Sequence, residues 1–327
     1  MSNLYNVSSS PHVRSSITTR QIMLDVLIAM IPACIVGIYN FGVNALLVIL
    51  ATVAACIVTE FAYERLMKKP ITTGDLSAVV TGVILALNMP STVPLWMPIA
   101  GGVFAILVVK MLYGGLGQNF MNPALAGRVF LLICFTSAMS NFSIDQVEGT
   151  KEVIMNGAIA LDGISGATPL AALKQSGETT SILKLFLGNH GGTIGETSAI
   201  ALLIGAAYLL IKKVISIRIP GAYLLSFAAY IIIFGGHGFD ANFLLTHLLG
   251  GGLIFGVFFM ATDYVTSPIT RLGQIIFGIS LGILTGIFRL SGQAAEGVSY
   301  AIIFCNLLVP LIEKVSIPRF FGRGAKQ

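Results

Sequence analysis

Ten apolar segments separated by polar turns constrain this chain more than any other feature. They lie near residues 21–39, 42–63, 75–89, 94–112, 122–138, 196–212, 219–235, 244–262, 272–289 and 297–313. A helix crossing ~30 Å of hydrocarbon takes roughly 20 apolar residues, and in lipid every backbone polar group must be satisfied within the protein. The segments are therefore expected to be helices of an all-α polytopic membrane protein. Composition agrees: 55% of residues are hydrophobic and 10% charged, where soluble domains carry about 25% charged residues. The third segment is short and ends in Asn88-Met89-Pro90, which predicts a partial or broken helix. Residues 1–20 are polar and the first apolar run follows directly, so no cleavable signal peptide is expected.

The basic residues predict an orientation, because cytoplasmic turns are enriched in Lys and Arg. With a cytoplasmic N-terminus, Arg14, Arg20, Arg65, Lys68, Lys69, Lys212, Lys213, Arg218, Arg271, Lys314, Arg319, Arg323 and Lys326 fall inside, and Lys110 and Arg128 flank an inside turn. Only Lys151, Lys174, Lys184 and Arg289 fall outside. Both termini are thus expected in the cytoplasm. The expected division is a tail over 1–20, five helices over 21–138, an external loop over 139–195, five helices over 196–314 and a tail over 315–327. The net charge of +5 follows from this topology and is not read as affinity for nucleic acid.

An internal repeat is visible. Thr81 to Pro90 resembles Gly252 to Ala261 with the Thr262…Pro268 that follows, and Gly117-Gln118 has a counterpart in Gly292-Gln293. Each half would hold five helices. Five is odd, so the halves would enter the membrane from opposite sides, the inverted-repeat plan of many transporters.

The only long polar interval contains Asp162-Gly163-Ile164-Ser165-Gly166-Ala167-Thr168-Pro169-Leu170. Small residues around one threonine leave its hydroxyl open to a large reactant, and Pro169 prepares the chain to start a helix. An ordinary helix cap by Thr168 is the competing reading. Asp-x-x-Ser-Gly-Ala-Thr, here Asp162, Ser165, Gly166, Ala167 and Thr168, resembles the acceptor motif on which bacterial flavin transferases esterify FMN through its phosphate. A loop this long is uncommon without a function.

Three further polar clusters interrupt the apolar runs: Asn88 to Thr92, Gly114 to Arg128 and Ala261 to Pro268. Asn-Pro and Ser-Pro at helix ends free backbone groups and can shape a polar cavity; capped helix ends are the plainer alternative. Asn122, Arg128 and Asp263 are the candidate residues there, since a charge near hydrocarbon needs a partner or water. Asp25, Glu60 and Asp75 are expected at the interface, and no acidic residue is expected at a helix midpoint. The cysteines (Cys34, Cys56, Cys134, Cys305) lie in apolar runs without C-x-x-C spacing and read as small apolar residues. They do not look like a complete iron–sulfur ligand set, and His12, His190, His237 and His247 show no metal spacing.

Taken together, the ten-segment pattern, the Ser-Gly-Ala-Thr-Pro-Leu of the outer loop, Gly117-Gln-Asn-Phe-Met-Asn-Pro-Ala-Leu-Ala-Gly-Arg128 and Ala261-Thr-Asp-Tyr-Val-Thr-Ser-Pro268 resemble the D subunits of Rnf complexes. The B subunits of sodium-pumping NADH:quinone reductases share the plan but usually carry a longer N-terminal extension, which favours the Rnf assignment. The resemblance implies a redox-driven Na⁺ or H⁺ pump of the bacterial or archaeal cytoplasmic membrane, passing electrons between ferredoxin and NAD⁺. It implies FMN held covalently on Thr168, a second, non-covalent flavin (riboflavin) within the helices, partner subunits of the A, B, C, E and G types, and a flavin transferase for maturation. A passive inverted-repeat transporter and a purely structural anchor subunit are the rival readings, and flavin on Thr168 separates them.

Overall fold

The computed structural model describes residues 17–142, 168–176, 181–188, 190–236, 238–292 and 297–318, and among these every regular element is helical. The first helix, α1 (Thr19–Leu66), opens with a capping box in which Thr18 Oγ1 accepts from Gln21 N (3.3 Å) and Gln21 Oε1 accepts from Thr18 N (2.8 Å). Its 48 residues would span ~72 Å at 1.5 Å per residue, far more than a bilayer core. The chain instead turns at Gly42, whose φ of 68° and ψ of −155° are not helical. A residue without a Cβ tolerates that conformation. The two arms coincide with the first two expected segments, separated by this one residue rather than by a turn.

The next helix, α2 (Ser77–Leu87), has only 11 residues and buries all of them except Val79. α3 (Trp96–Val103) continues as a π-helix over Phe104–Met111. α4 (Pro123–Cys134) starts where Asn122 Oδ1 accepts from Ala124 N (3.0 Å) and Leu125 N (3.3 Å), with proline at the first helical position. Short helices α5 (Thr136–Met139), α6 (Pro169–Ser176) and α7 (Ile182–Leu187) precede α8 (Ala199–Ile211) and α9 (Arg218–Phe234). α10 (Ala241–Leu249) breaks at Gly250-Gly251-Gly252 and resumes as α11 (Leu253–Phe255), which runs into a second π-helix over Gly256–Met260. α12 (Arg271–Ser291) and α13 (Val298–Ser316) complete the chain.

Each expected apolar segment coincides with a helix or a helix pair. By length and composition α1, α12 and α13 can cross a membrane, and α10 with Leu253–Met260, bent by 58°, makes a fourth as a broken pair; the other apolar helices of 10–17 residues are shorter. α12 shows how the helices pack. Gly278, Gly282 and Gly286 recur every fourth residue against α9, where a Cβ on Gly278 would lie 2.7 Å from Ala222 Cβ and one on Gly282 would lie 2.6 Å from Phe227 N. The neighbouring stripe, Ile275, Ile279, Ile283 and Ile287, is exposed. Small residues inside and aliphatic residues outside are the arrangement of helices packed in lipid, where close backbone approach replaces the hydrophobic effect between helices. Tyr223 and Thr285 exchange a hydroxyl hydrogen bond across this contact (2.6 Å). Cys134 is exposed on α4, whereas Cys56 and Cys305 are buried.

Candidate functional site

The two most buried short elements, α2 and the Leu253–Met260 stretch, end against each other. Asn88, which follows α2, donates from Nδ2 to Ile84 O (2.7 Å) and contacts Met260 Sδ (3.5 Å). Its Oδ1 accepts from Arg128 Nη1 (2.7 Å), and Asn122 Nδ2 donates to Met260 O (3.4 Å). Arg128 is only 4% exposed. This polar knot separates two sites.

On one side is a cleft walled by Ser77, Thr81, Lys110, Asn119, Asn122 and Asp263 together with apolar residues of α1, α2, α8 and the second π-helix. Its enclosed volume is about 90 Å³. Asp263 Oδ2 accepts from Thr266 Oγ1 (3.0 Å) and Oδ1 from Val265 N (3.5 Å); burial nevertheless pushes its carboxyl above the usual range. Behind the cleft, Lys110 Nζ meets Glu60 Oε2 at 2.7 Å and donates to Ser77 Oγ at 2.6 Å, and both ion-pair partners are essentially inaccessible. Thr72 Oγ1 bridges Glu60 (3.3 Å) and Glu64 (2.5 Å), while Ser77 Oγ donates to Asp75 Oδ1 (2.5 Å). Six polar side chains thus form one network, and Lys110 is carried by a π-helix, a local form frequently found at functional sites.

On the other side is the glycine break of α10–α11. Arg289, near the end of α12 and 3% exposed, donates to His247 O, to Gly250 O (3.1 Å) and to Gly251 O (2.9 Å). A Cβ on Gly252 would lie 3.6 Å from Glu196 Oε2 and 3.9 Å from Arg128 Nη1, so charged side chains bracket the break. Glu196 Oε2 also accepts from Thr193 Oγ1 (2.8 Å). The segment around it docks on the end of α2 through Ile194 N to Met89 O (3.0 Å) and Gly195 N to Leu87 O (2.8 Å). His190 sits in this segment, and burial lowers its pKa.

Thr168 stands immediately before α6 beside this second site. Its Oγ1 accepts from Ala171 N (3.3 Å) and its carbonyl from Ala172 N (2.9 Å). The capping geometry is therefore present. Thr168 is also only 5% exposed, which corrects the expectation of an open hydroxyl: Pro169 and Leu170 bury with it and draw it into the bundle end. Leu170, Leu173, Lys174, Phe243, His247, Arg289 and Leu290 line a cavity of about 100 Å³ under α6. An amide at a helix start and cationic side chains around a small cavity suit a phosphodiester.

Residues 6–322 match the model of the NQR2, RnfD, RnfE family. The chain belongs to that family. It is 45% identical over 320 residues to the D subunit of the Na⁺-translocating ferredoxin:NAD⁺ oxidoreductase complex of Acetobacterium woodii, covering 97% of this chain and 95% of the relative. It is 39% identical over 331 residues to the D subunit of the proton-translocating ferredoxin:NAD⁺ oxidoreductase complex of Clostridium ljungdahlii, covering 98% and 97%. Against the D subunit of the ion-translocating oxidoreductase complex of Stutzerimonas stutzeri it is 38% identical over 341 residues, covering 96% and 94%.

In this family member, Asp162, Ser165, Gly166 and Ala167 lie outside the described residues. Asn122 and Arg128 meet at the Asn88–Met260 knot, whereas Asp263 shares only the cleft with Asn122, and Arg128 faces the glycine break. Glu60 and Glu64 are buried, at 0% and 1% exposure. For Glu60 that corrects the expected place at the interface. The i, i+4 spacing of the two glutamates put both on one helix face, and Lys110 inside an apolar run was the sign of a partner. Ser77, Glu196 and Arg289 are further site residues that sequence reasoning did not single out, whereas Asn88 opened the first of its three polar clusters.

Proposed function

We propose that this chain is the D-type subunit of an ion-translocating ferredoxin:NAD⁺ oxidoreductase complex of the bacterial or archaeal cytoplasmic membrane. The observation that carries this reading is identity along nearly the whole chain to the D subunits of complexes so named. One of those complexes is named for Na⁺ and the other for protons, so the coupling ion is Na⁺ or H⁺. In this reading the ten apolar segments cross the membrane as two inverted five-helix repeats, with both termini cytoplasmic and 139–195 outside. The placement of α6 supports it: Lys174 and Arg289, both assigned to the outer face, meet at one end of α12, while Arg218 and Gln274, assigned to the inner side, meet near the other.

FMN is then carried as a phosphoester on Thr168, attached by a flavin transferase that reads Asp162, Ser165, Gly166 and Ala167. A flavin exchanges one or two electrons, and the protein's part is to place it and tune it. The N–H groups at the start of α6 and the cations around the adjacent cavity, Lys174 and Arg289, would hold the phosphate, and the buried Pro169 and Leu170 would shield the linkage from water. A second flavin, riboflavin, would find hydrogen-bonding partners at Asn119, Asn122 and Asp263. At about 90 Å³ that cleft is smaller than the roughly 300 Å³ at which small-molecule pockets begin, so the residues fit the group and the space does not. Electrons reach and leave this subunit through partners of the A, B, C, E and G types.

The test is peptide mass of the chain purified from its native host, with flavin fluorescence on a denaturing gel. The expected result is a Thr168 peptide heavier by FMN less one water. An unmodified peptide from a host with active transferase overturns the flavin assignment and leaves Thr168 as a helix cap, the result a passive transporter or a structural anchor subunit would give.

A further inference from the structure

The helix that follows Thr168 makes two kinds of contact with the rest of the molecule, one on the glycine break and one on the end of α12. Leu170 is 3% exposed, with its side chain over Gly250 and Gly251. A Cβ on Gly251 would overlap Leu170 Cδ1, and one on Gly250 would lie 3.4 Å from Leu170 Cγ. Gly251 also has a φ of +57°, so both its backbone and its missing side chain are needed there. One turn later, Lys174 Nζ donates to Arg289 O (3.2 Å) and to Gly292 O, at the end of α12. Arg289 in turn holds the carbonyls of His247, Gly250 and Gly251. Residues i and i+4 of α6 thus engage the break and the end of α12 from one helix face: Leu170 fills the notch that the glycines leave, and Lys174 ties the helix to the backbone of the arginine whose side chain caps the same notch.

We propose that Leu170 and Lys174 are positioning residues for the group carried on Thr168: they latch α6 onto the Gly250–Gly252 break and so fix that group against the outer end of the broken helix. This rests on the flavin reading of Thr168. The latch supplies what a covalent link alone lacks. A phosphoester fixes the distance of a flavin from the chain but leaves its direction free, and docking through two contacts on one face removes most of that freedom. Thr168 is closed off while α6 is docked, so a flavin transferase meets the undocked helix and docking follows attachment.

The test uses the complex purified from the native host with Lys174→Ala, Leu170→Ala and Lys174→Arg. The expected result is wild-type covalent flavin in all three, with iodide quenching of the Thr168 flavin raised at least twofold and its midpoint potential shifted in Lys174→Ala and Leu170→Ala. Lys174→Arg, which keeps a cationic donor, is expected to restore both values. Flavin attached with quenching and potential unchanged in both alanine variants overturns the latch and leaves the flavin reading intact. Docking is measured separately, without flavin, by hydrogen exchange of residues 169–176 in Thr168→Val alone and combined with Lys174→Ala. Faster exchange in the combined variant supports the latch whatever Thr168 carries, and equal exchange overturns it.

Discussion

The two ends of this molecule surround their cations in opposite ways. In the cleft, Lys110 meets a carboxylate 2.7 Å away, and Glu60, Glu64 and Asp75 are linked around it by Thr72 and Ser77. Carboxylates outnumber the one lysine there. Beside the glycine break, Arg289 and Lys174 donate to backbone carbonyls, and the carboxylate next to the break, Glu196, accepts from Thr193. Carbonyl dipoles solvate a cation without cancelling its charge, so the glycine-break end suits an anionic phosphate. The cleft network is strongly hydrogen-bonded around the buried Glu60, Glu64, Ser77 and Lys110, which makes it stiff and costly to disturb. An anionic carrier would attach at the end where cations prevail.

Several substitutions would break or sharpen that contrast. The largest effect is expected at the glycine-break end: Thr168→Val should abolish covalent flavin, read by in-gel fluorescence and peptide mass, while membrane insertion and the Lys110–Glu60 network stay as they are. Next, Lys110→Met should destabilise the protein by about 3–5 kcal/mol, because it leaves Glu60 buried without its ion partner. Glu60→Leu combined with Lys110→Met should recover much of that loss. Chemical unfolding in detergent measures both, and equal stabilities for the single and double variants would show that the pair is not coupled.

Smaller changes follow. Gly282→Ala should cost about 1–3 kcal/mol by forcing α9 and α12 apart, seen as a lower melting temperature, while Gly221→Ala, where a Cβ meets nothing within 4 Å, should not. Asn122→Ala removes the cap of α4 and should cost about 0.5–2 kcal/mol; Asn122→Ser should retain part of it.

The smallest expected effect is a pH dependence that differs in sign between the two ends. His190 has a pKa below its ordinary value of 6.5, so its contribution to stability is present above 6.5 and is lost as pH falls through the folded-state value. Asp263 has a pKa above its ordinary value of 3.8. Its contribution is present below 3.8 and is lost as pH rises through the folded-state value. His190→Gln should flatten the acid side of a melting-temperature profile and Asp263→Asn the side above 3.8.

How much of this was legible in the sequence depends on the range of the interaction involved. The apolar runs fixed the helices, because hydropathy and hydrogen bonding within a segment are local, and Asn122-Pro123 announced the start of α4 for the same reason. Gly42, by contrast, shows that one residue can do what a turn was expected to do, since a φ of 68° suffices to end one helical arm and begin another. The eighth segment, expected as one run over 244–262, is broken at the three glycines 250–252, and the sequence did not show what fills that break.

Everything that makes a site came from contacts distant in sequence. Glu60 meets Lys110 across 50 residues, Asn88 meets Arg128 across 40, and Lys174 meets the carbonyl of Arg289 across 115. A charge inside an apolar run says that a partner exists, because an unpaired buried charge is too costly to keep, but not which partner. The helical class, the membrane setting and the family likeness were already legible in the linear sequence, as was the motif that makes Thr168 the proposed acceptor. Only the tertiary structure decided that the threonine is enclosed, that its helix rests on the glycine break, and that the two ends treat positive charge differently. Those are properties of packing, where the energy of each polar group depends on neighbours that the linear order of residues does not specify.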